Sequence, residues 1–143
     1  MARLPDGRLL LISETDEKAP SVLKAWIGVG GTWREAGYRR HDGYRPVDGK
    51  ALPNGDLLVL ERHFTLLGGF STRLVRISAA GIRPGAVMDG RRLAEIAPPL
   101  IADNFEGLAL EPAADGSTTV FMISDDNRVA LQRTLLLQFR LTP

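Results

Sequence analysis

The chain has no cysteine, only two histidines, and no apolar run long enough to span a bilayer. Without thiols there can be no thiolate metal site, cysteine nucleophile or disulfide scaffold, although the compartment stays open. His41 and His63 do not stand in HExxH spacing, and no GxSxG nucleophile elbow occurs. Gly28-Val29-Gly30-Gly31 lacks the Lys-Ser/Thr of a phosphate loop and no helical pattern follows it. Excess charge is missing too. A formal net charge of +1, with arginines interleaved among acids, argues against nucleic acid or a membrane surface as partner. The pairs Arg39-Arg40 and Arg91-Arg92 read as solvated turn segments. No signal peptide is visible at the N-terminus, MARLPDGRLLL.

What is present is a repeat. Leu4 to Glu14 reads LPDGRLLLISE, and Leu52 to Arg62, 48 residues later, reads LPNGDLLVLER. A looser copy, DGSTTVFMISDD, runs from Asp115 to Asp126. Each copy is a Gly turn, then aliphatic and β-branched residues, then acidic or polar ones. A turn-plus-strand recurring at roughly 40 to 60 residues indicates small stacked sheets, with the β-propeller as the natural candidate. The pattern predicts one all-β domain over residues 1–143: a partial β-propeller of about three four-stranded antiparallel blades, the first and last incomplete. Such a wedge leaves sheet faces open. Either residues of a longer protein complete the ring, as the start in mid-repeat suggests, or a second copy does so as a homodimer.

Strands are predicted at Leu9 to Ile12, Val22 to Ile27, Thr32 to Arg39, Asp48 to Leu52, Leu57 to Glu61 and Arg73 to Ile77. A weaker edge strand falls within Arg92 to Ile96, followed by Glu106 to Leu110, Thr118 to Ser124 and Thr134 to Leu141. Leu9 to Ile12 is apolar throughout, as in a strand covered on both faces. Asn54-Gly55 suggests a two-residue hairpin loop with positive φ at both positions. Gly68-Gly69 reads as a turn, and Trp26 and Trp33 as packing residues. Helical periodicity is thin throughout.

Topology gathers the polar residues. In an up-down meander, the start of a first strand and the end of the second share one sheet edge. Asp48, Asn104 and Glu106 open first strands, whereas Glu14 with Asp16, Glu61 with Arg62, and Asp125, Asp126 and Asn127 close second strands. All should meet at a channel mouth. Carboxylates and amides on a loop edge are the hard oxygen donors that calcium favours, so Asn104, Glu106, Asp125, Asp126 and Asn127 form a candidate metal set. Arg62, Arg128 and Arg133 could instead offset the acids, and Asp and Asn are common turn caps. Arg62 and Arg133 are the candidate binders of a small phosphorylated or ester substrate. Asp48, Glu61 and Arg62 read as inter-blade ion pairs ahead of chemistry, whereas Glu106 suits a structural salt bridge and a ligand role equally well. His63 follows Glu61-Arg62 and could reach the same edge as a base; no catalytic residue is identified.

Three segments resemble a known family. Gly43 to Asp48 (GYRPVD), Leu52 to Phe70 (LPNGDLLVLERHFTLLGGF) and Asp103 to Leu141 (with DNFEGLAL, MISDDN and LQRTLLLQFRL) are together similar to the C-terminal half of the phytase-like, "esterase-like activity of phytase" family. The resemblance implies a β-propeller within a longer exported, periplasmic or secreted bacterial chain, and phosphoester or ester hydrolysis. By analogy with calcium-dependent propeller phytases it implies calcium at an acidic channel mouth. The positions it marks are Asp48, Glu61, Arg62, Asn104, Glu106, Asp125, Asp126, Asn127, Gln132 and Arg133. Val47 stands where the family often has Thr, and Arg128-Val129 where it commonly has Phe-Ser.

Overall fold

The recurring Gly turns close three hairpins with the same hydrogen bonds. In the computed structural model, which describes residues 1–15, 21–100, 102–128 and 132–142, the Leu4 amide donates to Arg8 O and the Gly7 amide to Leu4 O. Leu52 with Asp56 and Gly55, and Ala113 with Ser117 and Gly116, repeat both bonds. The side chains of Asp6, Asn54 and Asp115 each accept from the backbone amide two residues on. This Asx cap fixes the turn from within, which is why short polar side chains occupy the position. Gly7, Gly55 and Gly116 all take φ between 81° and 89°, a region costly for a residue with a Cβ.

The predicted two-residue Asn54-Gly55 loop is therefore corrected. The loop has three residues, Pro53 to Gly55, and only Gly55 has positive φ. Pro53 pre-sets the first turn angle, and Gly55 supplies the left-handed residue that re-enters the ladder. A genuine two-residue loop with positive φ at both positions lies at Gly30-Gly31, between the paired Val29 and Thr32.

Twelve strands and one short 3₁₀ turn, Ala79–Gly81, form three sheets among the described residues. Sheet 1 is ordered β1 (Ala2–Arg3), β2 (Leu9–Ile12), β3 (Val22–Val29), β4 (Thr32–Arg39) and β8 (Val87–Met88). Sheet 2 is β5 (Arg45–Ala51), β6 (Leu57–Thr65), β7 (Gly69–Ile77) and β9 (Arg91–Ile96). Sheet 3 is β10 (Phe105–Pro112), β11 (Thr118–Ser124) and β12 (Leu136–Leu141). The fold is all-β, as expected, but not wholly antiparallel. β8 pairs parallel to β4, through Gly37 with Val87 and Tyr38 with Met88. The sheet expected to be incomplete therefore has five strands, because the segment after β7 returns to it before forming β9. β1 and β8, at two residues each, were too short to leave a periodic signal.

Two cores separate the three sheets. Leu10, Leu23, Ala25, Ile27, Tyr38 and Met88 of sheet 1 meet Leu57, Val59 and Ile77 of sheet 2. Leu58, Leu60 and Leu74 on the other face of sheet 2 meet Phe105, Leu108, Val120 and Met122 of sheet 3. Consecutive strand side chains point to opposite faces, so the continuous run Leu57 to Leu60 is buried on both sides. β6, rather than β2, is the doubly covered strand: in β2 only Leu10 is fully buried, while Leu9 and Leu11 stay half-buried. The first strands of the three sheets lie together, β5 against both β1 and β10.

Because Leu58 is fully buried within the core between sheets 2 and 3, Leu58→Ala should lower the free energy of unfolding by about 2–5 kcal/mol. Leu67, at 101% exposure on the β6–β7 loop, should tolerate the same change with no measurable loss. Urea titration of both variants checks this, and equal effects would refute the two-core arrangement.

Candidate functional site

Beyond Leu60 the alternation of β6 continues, and it sends Glu61 and Arg62 to opposite faces. Glu61 follows Leu57 and Val59 toward sheet 1, where the Tyr38 hydroxyl donates to its Oε1 at 2.8 Å. It is 2% exposed. Burial raises its carboxyl above the ordinary value of 4.5, against the lowering pull of the Tyr38 hydrogen bond and Arg73. The Tyr38 phenol is raised as well, first by burial and then by the Glu61 charge. Glu61 thus sits beneath the rim as an inter-sheet contact, and its expected place beside Glu106 is corrected.

Arg62 follows Leu58 and Leu60 toward sheet 3. Its Nη1 donates to both Asn104 Oδ1 and Glu106 Oε1, and the Asn104 amide reinforces Glu106 at 2.9 Å. Its Nη2 reaches Glu14, at the end of β2, at 3.4 Å. One guanidinium therefore ties the second sheet to the first and the third at a common edge. Of the residues predicted to converge, Glu14, Arg62, Asn104 and Glu106 do so.

Others are placed differently. Asp48 was expected to open a strand, but β5 starts earlier, at Arg45, and bulges between Pro46 and Asp48. Asp48 consequently lies within the strand, where it pairs with Lys50 and accepts the Leu108 amide of β10 at 2.9 Å. Asp125 stays at the rim end, its amide bonded to Asn104 O at 3.0 Å. Its carboxylate accepts the Asn127 amide and that of Asp126 accepts the Arg128 amide, at 3.0 and 2.9 Å. Asn127 and Arg128 have φ of 47° and 57°, so the two carboxylates hold a left-handed pair of residues. Gln132 Oε1 accepts from Asn127 Nδ2 at 2.9 Å. Arg133 uses its backbone: the amide donates to buried Asp103 at 2.9 Å, and its carbonyl accepts from Ser124. Asp16, Val129 and Leu131 lie outside the described residues.

The candidate calcium donors do not fit a shared ion. Glu106 is engaged by Arg62 and Asn104, whereas Asp125 and Asp126 cap backbone amides. Among the described residues, no group of three or more His, Asp or Glu is arranged to hold a metal. A cationic guanidinium at the convergence point works against binding a second cation there.

Beside Arg62 lies a cavity of about 410 Å³ lined by Arg40, Gly43, Arg45, Arg62, His63, Phe64 and Phe70. Arg45 and Arg62 are direct cross-strand partners, an arrangement of like charges that is unfavourable on its own. Arg40 donates to Tyr44 O and Gly43 O at 2.8 and 2.7 Å, which places its guanidinium at the cavity wall. Behind the wall, the buried Arg73 stacks 3.8 Å from the Tyr44 ring centre and pairs with Asp42 and Glu95. Tyr44 in turn packs against His63, with ring centres 5.2 Å apart. Sequence reading assigned Arg40 to a solvated turn and passed over Arg45. The usable signal was parity: Arg45 opens the strand that pairs with the end of β6.

Stacked, mainly antiparallel sheets that share one turn motif and carry a polar edge define an all-β protein. The family model "Phytase-like: Esterase-like activity of phytase" matches residues 1–128, and the chain belongs to that family. No curated protein and no solved structure matches it.

Glu61 yields a pH prediction. Its carboxyl is raised on folding, so the native state binds more protons from the ordinary value of 4.5 upward, and stability falls as pH rises through that window. Glu61→Gln keeps an acceptor for Tyr38 and removes the titration. The melting-temperature difference, variant minus parent, should therefore increase in the variant's favour between about pH 4 and pH 8. A pH-independent difference would refute the burial of an ionisable carboxyl here.

Proposed function

We propose that the three sheets are blades of a β-propeller, and that the arginine-lined rim cavity binds the anionic group of a phosphorylated ester substrate. Three features support the ring: the same capped turn closes each sheet's hairpin, the first strands lie together, and each pair of adjacent sheets encloses a core. The observation that carries the anion is Arg45 directly opposite Arg62, with Arg40 on the same cavity. Facing guanidiniums repel unless anions offset them. Glu106 and Glu14 engage Arg62 from the sheet 3 and sheet 1 sides, leaving the Arg45 side for a ligand.

Guanidinium groups match phosphate oxygens in geometry and charge, in accord with the phosphoester chemistry suggested by the family description. In this reading Arg45 and Arg62 bind the phosphoryl oxygens, while Asn104 and Glu106 hold Arg62 in place. His63 is the imidazole on the cavity wall. No step passes through calcium.

Inorganic phosphate serves as the probe, followed by calorimetry at low salt. Arg45→Ala, which removes no side-chain hydrogen bond or ion pair among the described residues, should weaken phosphate binding about tenfold, the worth of a charge-assisted hydrogen bond. Affinity should fall as salt is raised and stay unchanged with EDTA. Retention of full affinity in Arg45→Ala would overturn the anion site. Loss with EDTA would restore the metal reading.

A further inference from the structure

Past Arg62, the face of β6 that meets sheet 3 changes character. Leu58 and Leu60 lie in the core between the two sheets, and Arg62 ends that series at Asn104 and Glu106. Alternation puts Phe64 on the same face two residues further on. There it belongs to neither core and is 55% exposed. Its cross-strand partner is Phe70 of β7, with ring centres 4.8 Å apart and planes tilted by 47°. Both rings line the same cavity as Arg45 and Arg62. Pairing across the strands steadies the hairpin, but it leaves Phe64 more than half exposed beside two guanidinium groups.

We infer that the substrate of the rim cavity is a phosphate monoester of an alcohol bearing an aromatic or similarly sized apolar group, not of a polyol. The inference rests on the reading of Arg45 and Arg62 as phosphate binders and accounts for the part of the cavity wall that a bare phosphate does not use. Two residues along a strand span about 7 Å, comparable to the length of an aryl phosphate. A phosphoryl group held at Arg62 therefore brings the ring of such an ester to Phe64 and Phe70. That ring would take apolar surface of Phe64 out of water and add a ring-to-ring contact. A polyol would press hydroxyl groups against the same two rings, which offer them no hydrogen-bond partner in exchange for lost water. The cationic and aromatic ends of the cavity thus sort the two halves of one ligand.

Calorimetry on the 143-residue chain compares phenyl phosphate, glycerol 1-phosphate and inorganic phosphate at one low salt concentration. Phenyl phosphate should bind about tenfold more tightly than either of the others, the scale of one aromatic contact. Phe64→Ala should bring that ratio to about one, whereas Phe64→Tyr, which keeps a ring, should preserve it. Phe70→Leu serves as a second variant and should also lower the ratio. Arg45→Ala should weaken all three probes by a similar factor and keep the ratio. Equal affinity of the parent for the three probes would overturn the aromatic subsite and leave the anion site standing. An undiminished ratio in both Phe64→Ala and Phe70→Leu would overturn the role given to the pair. Absence of phosphate binding in the parent would overturn the anion site and, with it, this inference.

Discussion

Burial of β6 on both faces is the constraint on which the rest of this structure depends. Leu57 and Val59 belong to one core and Leu58 and Leu60 to the other, so a single strand joins three sheets into one packed unit. Because side chains alternate along a strand, its parity also decides which polar group goes where. Glu61 continues the first series and is buried under Tyr38. Arg62 continues the second and reaches Asn104 and Glu106. A one-residue slip would exchange the two, burying an arginine against Tyr38 and turning the acid toward Glu106.

The rim is therefore cationic at its centre, although its most conspicuous sequence feature is a run of acids. Asp125 and Asp126 use their carboxylates to hold the backbone of Asn127 and Arg128 in the left-handed region. Asp48 uses its carboxylate to join β5 to β10 through the Leu108 amide. An acid committed in this way has fewer lone pairs to offer a metal. The arginines are placed otherwise: Arg45 and Arg62 face one another across adjacent strands, beside a cavity.

The β architecture was legible because its signals are local. Apolar runs bounded by Gly, Pro, Asn and Asp marked where the longer strands lie, although β6 runs on past Glu61 to Thr65 and β7 begins at Gly69 rather than Arg73, and the repeated phrase at Leu4 and Leu52 marked equivalent turns that share hydrogen bonds as well as letters. The parallel contact of β8 with β4 was not legible. Two residues carry no period, and their pairing depends on a chain reversal beyond the reach of local pattern. The Asn54-Gly55 loop was misjudged by one residue because Pro53 fixes the first turn position, leaving Asn54 without positive φ. Within the site, the convergence of Glu14, Arg62, Asn104 and Glu106 followed from topology, whereas the separation of Asp48 and Glu61 from them followed from a bulge and from parity.

By itself the sequence determined the turns, the strands they connect and the edge at which second strands end, since these rest on local φ preferences and short-range alternation. Tertiary structure decided which acids stay available, which arginines face each other, and which face of β6 each polar side chain takes. Those outcomes depend on how neighbouring sheets pack, and packing joins residues some 40 or more positions apart, such as Arg62 and Glu106.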